Sequence, residues 1–258
     1  MRITKRQKIA ISSALLAVGI SFLPAIGEEN RLSALVVIVI GSYFLSVWSI
    51  YDRFSPFELV SLFSLPVILT ASFGLFLSQF DVSVLTQIVL AATYVVAMYT
   101  ILLSENIFNV SSERNIPLVR AARTVGYLST LFVSFAIFTL LFGLGLNNFL
   151  FSVLVSVIAG LLFVQGVWQI ELKDTDPRRL VYFSLVAGWV IGQVSWALSF
   201  WPLTPPKVGL AITAAVYVLL GIFQHYIREN LNKRTVVEYV FVAAAVVALL
   251  IITTSWGV

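Results

Sequence analysis

The side chains that could do chemistry inside this sequence are few, and most of them are amides and hydroxyls. Gln165, Gln193 and Ser195 are polar residues that lie deep within long apolar stretches. The interpretation that we favour is that each glutamine forms a hydrogen bond across a helix interface, an interaction of about 0.6–2 kcal/mol. The alternative is a polar cleft that these three residues form between two neighbouring helices, in which a permease could hold a small uncharged or lipid-like substrate.

A serine hydrolase within the membrane would have to be assembled from Ser195 and His225, the one histidine of the chain. At about 1.5 Å of rise per residue, Ser195 is expected about 9 Å and His225 about 25 Å below the same surface. A nucleophile and its base need hydrogen-bond contact, so this difference in depth argues against the pair. Since the chain also has no cysteine, we expect no catalytic residues, no metal and no cofactor.

A second candidate site is a hydrophilic stretch that we predict to be a cytoplasmic loop over residues 104–116. It is longer than a connection between helices requires, so it is the best candidate in the chain for a contact with a protein or a lipid, although the interpretation that we favour is a solvated loop. The residues of this candidate contact site are Glu105, Asn106, Asn109, Arg114, Arg120 and Arg123. Carboxylates near this face, namely Glu105, Glu113 or Glu238, are also the residues on which a lipid-active enzyme would depend.

These residues are set in nine apolar stretches, which are predicted to be transmembrane helices. The sequence is 60% hydrophobic and 11% charged, against roughly 25% charged residues in soluble domains. Each stretch has the length of about 20 residues that crosses the hydrocarbon core of a bilayer. The predicted spans are 8–26, 32–51, 57–80, 84–103, 117–146, 149–170, 178–201, 206–228 and 235–256. The composition therefore excludes a soluble enzyme and predicts one all-α polytopic bundle over residues 1–258.

The basic residues predict how this bundle is oriented in the cell membrane. With the N-terminus in the cytoplasm, 14 basic residues fall on the inner side and only Arg31 and Lys207 fall on the outer side. Lys and Arg accumulate in cytoplasmic loops, so the N-terminus is predicted inside and the C-terminus outside. The same rule explains the pI near 9.4, and we expect no nucleic-acid partner. Cleavage of the first span as a signal peptide would leave eight spans with unchanged orientation.

Small residues at four-residue spacing predict where the helices pack most closely. Ser184, Gly188 and Gly192 share one face of the seventh span, and Ser152, Ser156 and Gly160 share one face of the sixth. Helices in lipid associate through close packing and interhelical hydrogen bonds, which such residues permit. The pattern predicts packing, and it does not indicate a particular function.

The residues 104–110 (SENIFNV) and 117–126 (PLVRAARTVG) resemble a family of uncharacterised multi-pass membrane proteins from candidate-phyla bacteria. The resemblance implies a location in a bacterial inner membrane and carries over no functional residue.

Three hypotheses for function follow from these observations. The first is a non-enzymatic membrane component or complex subunit, acting through helix packing and partners. Those partners would be membrane lipids and either another membrane protein or further copies of the chain. A permease is the alternative, and a membrane-embedded enzyme acting on lipids is the third.

Overall fold

The computed structural model describes residues 4–51, 54–111, 118–171 and 177–254, and this part of the chain is all-helical. Its α-helices are α1 (Lys5–Ser21), α2 (Glu28–Ile50), α3 (Pro56–Ser61), α4 (Ser64–Gln79), α5 (Val84–Ser111), α6 (Val119–Gly143), α7 (Asn148–Glu171), α8 (Pro177–Ser199), α9 (Pro205–Ile227) and α10 (Lys233–Thr253), with a short 3₁₀ helix at Leu23–Ala25. Counting α3 and α4 as one span, nine helical segments of the described chain are long and apolar enough to cross a membrane.

The third span is interrupted because it contains a proline. The Ser55 hydroxyl oxygen accepts a hydrogen bond from the Glu58 backbone N–H, and the Glu58 carboxylate accepts one from the Ser55 backbone N–H, which completes a capping box at the start of α3. The helix ends at Ser61 and a new helix begins at Ser64. Pro66 has no N–H to donate to the carbonyl of Leu62, and its ring would collide with that carbonyl. The interruption therefore falls one turn before the proline itself.

The chain forms two compact units, Met1–Ser129 and Thr130–Val258. The sequence carries no sign of this division, because the boundary falls inside α6 and not in a loop. In the first unit, α1 packs against α2 and α5, and α4 packs against α2 and α5. Ser12 on α1 donates a hydrogen bond to the carbonyl of Leu45 on α2 at 3.3 Å, which joins these two helices.

In the second unit, α7 and α8 form the most extensive helix pair, and α9 packs against α7, α8 and α10. Glycines mark the close approaches of α9 to its neighbours. A Cβ on Gly209 would collide with Thr139 of α6, and one on Gly221 would collide with Tyr239 of α10. Each glycine thus lets α9 approach a neighbouring helix more closely than a larger side chain would allow.

Candidate functional site

The three residues of the predicted polar cleft do not lie together. Gln165 on α7 and Ser195 on α8 are both fully buried, and Ser195 donates its hydroxyl to the carbonyl of Gly192 at 2.8 Å. Gln193 is exposed on the surface of α8. A helix turns by about 100° per residue, so Gln193 points away from the face that Gly192 and Ser195 share.

The antiparallel register of α7 and α8 also separates the two glutamines along the helix axis. Gly188 lies beside Ser156 and Gly160, which places Gln193 at the level of about residue 153 on α7. Gln165 is twelve residues further along α7, which corresponds to about 18 Å at 1.5 Å per residue. The structure therefore does not bring Gln165, Gln193 and Ser195 together in one cleft, and the permease hypothesis loses the site on which it was based.

The small residues of α8 face the small residues of α7 across this helix pair. A Cβ added to Gly188 would lie 2.6 Å from the carbonyl oxygen of Ser156, and one added to Gly192 would lie 2.8 Å from the Cβ of Ser156. The carbonyl oxygen of Ser184 lies 3.5 Å from a Cβ built on Gly160. The two backbones thus approach as closely as side chains allow along this contact.

The predicted cytoplasmic contact loop is largely helical, because α5 continues to Ser111. Glu105 is 0% exposed and Asn109 is 6% exposed, and Asn106 lies on the same helix. The sequence carried a signal for this continuation. The buried stripe of α5 runs through Tyr94, Met98, Ile101, Glu105 and Phe108, with the alternating spacing of four and three residues that one helix face requires.

The basic members of that candidate contact site lie elsewhere. Arg120 is exposed and Arg123 is half-buried in the first turns of α6, and Arg114 falls outside the described residues. The expectation that Glu105 and Asn109 form an accessible surface is corrected by their burial. A contact role for Arg120 and Arg123 stays a prediction.

A pocket of about 430 Å³ that the sequence did not predict lies where α8 begins and α9 ends. Its lining residues are Arg179, Leu180, Phe183, Tyr226, Ile227, Glu229 and Leu231. The Arg179 guanidinium lies 5.4 Å from the ring centre of Phe183 and 5.9 Å from that of Tyr226. These distances are within the range of cation–π attraction, so the two rings hold the guanidinium at the pocket.

Two of the residues that line this pocket, Phe183 and Tyr226, belong to an aromatic cluster. Phe183 contacts Phe223 at 5.2 Å and Tyr226 at 6.2 Å between ring centres, and Phe223 contacts Phe163 of α7 at 6.0 Å. Arg179 and Phe183 are four residues apart on one helix, which is a spacing visible in the sequence. Tyr226 and Glu229 come from a segment more than 40 residues away, so only the fold brings the four together.

One exposed face of α8 has an unusual composition for a helix that is long and apolar enough to cross a membrane. The exposed residues of this face alternate in spacing between four and three, and the series continues to the residue just after the helix. They are Tyr182, Val186, Trp189, Gln193 and Trp196 on α8, followed by Phe200. Tryptophan in membrane proteins concentrates at the two interfaces, whereas Trp189 lies near the middle of α8. This face therefore combines aromatic rings, indole N–H groups and one amide.

A protein-family match covers most of the chain and most of the features described above. Residues 52–253 match the family described as a protein of unknown function, DUF5656. The chain belongs to the DUF5656 family. No curated protein and no solved structure matches the chain significantly.

The DUF5656 match includes the α7–α8 contact, the pocket and the exposed face of α8, and it begins after α2. The resemblance to a family without an assigned activity is confirmed at that level. The bacterial source that the resemblance implied stays a prediction. The family assignment thus leaves the function to be argued from the residues themselves.

Proposed function

We propose that this chain is an integral protein of the cell membrane that crosses the bilayer nine times, with its N-terminus in the cytoplasm and its C-terminus outside. It acts as a non-enzymatic subunit of a membrane complex, and it associates with a second copy of itself through the exposed face of α8. The observation that carries this proposal is the exposure of Gln193 on a long apolar helix.

The depth of Gln193 explains why its exposure matters. It lies six residues from the end of α8 at Ser199, which corresponds to about 9 Å. Side chains of a helix lean toward its N-terminus, so this amide leans away from the nearer membrane surface. An amide without a hydrogen-bond partner in an apolar medium costs about 1–3 kcal/mol, as mutational data on proteins indicate. A polar partner on a neighbouring chain would remove that cost.

A second copy of α8 offers such a partner by symmetry. A glutamine amide contains both a donor and an acceptor, so two Gln193 side chains can bond to each other across a two-fold axis. The spacing of Val186, Trp189, Gln193 and Trp196 matches the seam of two parallel helices that interlock their side chains. A symmetric dimer through α8 therefore satisfies the amide and covers the aromatic rings together.

The two basic residues on the predicted outer side support the proposed orientation. Arg31 donates to the carbonyl of Ser78, in the last turn of α4, at 3.2 Å, and Lys207 donates to the carbonyl of Thr253 at the end of α10. Cations at helix C-termini are stabilised by the exposed carbonyls there. Both exceptions to the positive-inside pattern therefore have a local structural reason.

Membrane lipids are the second kind of partner that we propose. The most apolar window of α10 is only 6% buried, although its mean hydropathy is 2.6. Such a helix is stable where its surroundings are themselves apolar, as the bilayer core is.

We expect reporter fusions to confirm the proposed topology. A periplasmically active phosphatase fused after Asn147 should be active, whereas the same enzyme fused after Lys173 should be inactive, because one membrane crossing separates the two points. A fluorescent protein that matures only in the cytoplasm should give the opposite pattern. Equal signals from the two fusions of one reporter would contradict the nine-span topology.

The dimer is tested by disulfide crosslinking, which is direct because the chain has no cysteine of its own. In a symmetric parallel dimer, a Val186→Cys variant should crosslink to itself when membranes are oxidised. Adding Gln193→Leu should reduce the crosslinked fraction about threefold or more, since it removes an interaction of about 0.6–2 kcal/mol. The measurement is the fraction of covalent dimer on a non-reducing gel.

Two control variants make this result specific. Val96→Cys places a thiol on an exposed face of α5 and should give little dimer. Thr93→Val removes an exposed hydroxyl that already donates to the carbonyl of Val89 at 2.8 Å, so it should not change the Val186→Cys crosslink. An unchanged crosslink in the Gln193→Leu variant would overturn the role of the amide, and a different protein crosslinked in place of the second copy would overturn the homodimer.

A further inference from the structure

We propose that the pocket at the junction of α8 and α9 binds the headgroup of a zwitterionic phospholipid that carries a primary amine. Its phosphate lies against Arg179 and its ammonium group lies against Glu229. This inference rests on the proposed membrane insertion, but it is independent of the dimer.

Arg179 is positioned for a phosphate. Its guanidinium lies over the rings of Phe183 and Tyr226, which limits the freedom that the side chain loses on binding. Within the described ranges Arg179 forms no ion pair. The salt bridge seen in this part of the chain joins Arg234 to Glu238 on α10. The planar group can therefore present parallel N–H donors to two phosphate oxygens, the geometry in which arginine binds phosphate most strongly.

Glu229 places a negative charge on the same pocket. It adopts a left-handed backbone conformation with φ of 54°, which a non-glycine residue adopts only where the surrounding turn holds it. That turn is closed by the hydrogen bond from Asn230 N to His225 O at 3.1 Å and by the side-chain contact of His225 Nδ1 with Asn230 Oδ1 at 2.9 Å. The backbone of Glu229 is thus held in a defined turn, and Glu229 lines the same pocket as Arg179.

The presence of both charges selects the ligand. An anionic headgroup would pair with Arg179 but would be repelled by Glu229. A headgroup with both a phosphate and an ammonium group pairs with both, and the ammonium N–H groups donate hydrogen bonds to the carboxylate. Phosphatidylethanolamine has this chemistry, and a quaternary choline headgroup lacks the N–H donors.

The position of the pocket suits a lipid headgroup, and its apolar wall suits the acyl chain attached to that headgroup. Arg179 is in the first turn of the apolar span that begins at Arg178, and Tyr226 is in the last turn of the span that ends at Ile227. The pocket therefore lies where the apolar segments end, which is the headgroup level of an inserted protein. Leu180, Ile227 and Leu231 give it an apolar wall, against which the first part of an acyl chain can pack.

The test uses the full chain, purified in mild detergent and titrated with short-chain lipids, with bound lipid measured by native mass spectrometry. We expect dioctanoyl phosphatidylethanolamine to bind more tightly than dioctanoyl phosphatidylglycerol. Arg179→Gln should weaken binding of both lipids about tenfold, as expected for a lost hydrogen-bonded charge. Glu229→Gln should weaken only the phosphatidylethanolamine complex and so remove the preference.

Matched controls separate this site from general charge effects. Arg228→Gln makes the same charge change one residue from Glu229, at a position that does not line the pocket, and should leave both affinities within twofold. Glu28→Gln, on the other unit, is the corresponding acidic control. Equal losses in Arg179→Gln and Arg228→Gln, or a preference that survives Glu229→Gln, would overturn the proposal.

Two further measurements fix the source of the ligand and separate this proposal from membrane insertion. Glycerophosphoethanolamine, which has the headgroup without acyl chains, should bind at least tenfold more weakly than the lipid. Equal binding of the two would show that the natural ligand is a soluble phosphate ester and not a lipid. Resistance to extraction by alkaline carbonate tests insertion alone. A chain that resists extraction but shows no lipid preference would refute the pocket and leave the membrane assignment in place.

Discussion

A Gly188→Ala variant is expected to lose about 1–3 kcal/mol of its free energy of unfolding, and Gly188→Leu is expected not to fold. The reason is the nature of the atoms that the new side chain would meet. A Cβ at this position would lie 2.6 Å from the carbonyl oxygen of Ser156 and 3.0 Å from both the nitrogen and the Cα of Gly160. All three are backbone atoms of α7, so the clash is relieved only by separating the two helices.

The loss follows from how closely the two helices pack. When α7 and α8 move apart, the dispersion contacts and the short backbone approach between them are lost. In the proposed lipid environment, their apolar side chains only exchange one apolar neighbour for another, so those contacts are the main loss. Unfolding in mixed micelles with increasing dodecyl sulfate, followed by tryptophan fluorescence, measures the change. Trp168 on α7 is 5% exposed and is one of the six tryptophans that contribute to this signal.

Two other glycines serve as controls for Gly188. Nothing lies within 4 Å of a Cβ on Gly41, so Gly41→Ala should be neutral or stabilise the protein by up to about 1 kcal/mol through its better helix propensity. A Cβ on Gly74 would meet the end of the Leu35 side chain, which can rotate away. If Gly188→Ala behaved like Gly41→Ala, the close α7–α8 contact would be refuted.

The close contact of α7 and α8 is a feature that the sequence allowed us to predict, because small residues four apart must share one helix face. The same reasoning argues against the alternative of a polar cleft. Gln193 is about 100° around the helix from Gly192 and about 140° from Gly188. Once Gly188 and Gly192 face α7, Gln193 cannot face it. The two predictions were incompatible, and the helix geometry alone decides between them.

The end of α5 is harder to predict, because its local composition favours an exposed loop whereas the tertiary structure buries it in a helix. Glu105, Asn106 and Asn109 are typical of loops and surfaces, and a charged residue is rarely buried without partners. Only the neighbouring helices determine that Glu105 is fully buried. The apolar positions Ile101 and Phe108, seven residues apart, were the part of the sequence that indicated a continuing helix.

The pocket could not be predicted from the sequence for a different reason. Aromatic residues and arginine at the end of an apolar stretch are expected at the membrane surface wherever they occur. Their types therefore explain why Arg179 and Tyr226 are at this level of the molecule. They do not indicate that α8 and α9 bring the two side chains to within 5.9 Å, since that depends on how the helices pack.

Thr70→Val is expected to destabilise the first unit by about 1–3 kcal/mol, more than Tyr94→Phe does, although both changes break the same hydrogen bond. The hydroxyl groups of Thr70 on α4 and Tyr94 on α5 are 2.9 Å apart, and both residues are at most 1% exposed. Thr70 also donates to the carbonyl of Pro66 at 2.8 Å. A hydroxyl has one proton, so Tyr94 must be the donor between the two side chains.

The asymmetry follows from what each variant leaves behind. Thr70→Val keeps the shape of the side chain but leaves the Tyr94 hydroxyl buried without its acceptor, which costs about 1–3 kcal/mol. Tyr94→Phe removes the donor itself, and Thr70 keeps its bond to Pro66, so the loss should be about 0.5–1.5 kcal/mol. In the double variant no hydroxyl is left without a partner, so its loss should be smaller than the sum of the two single losses. As a control, Thr93→Val on α5, the helix of Tyr94, should not change the free energy of unfolding. Equal losses in Thr70→Val and Tyr94→Phe would show that the direction assigned to this hydrogen bond is wrong.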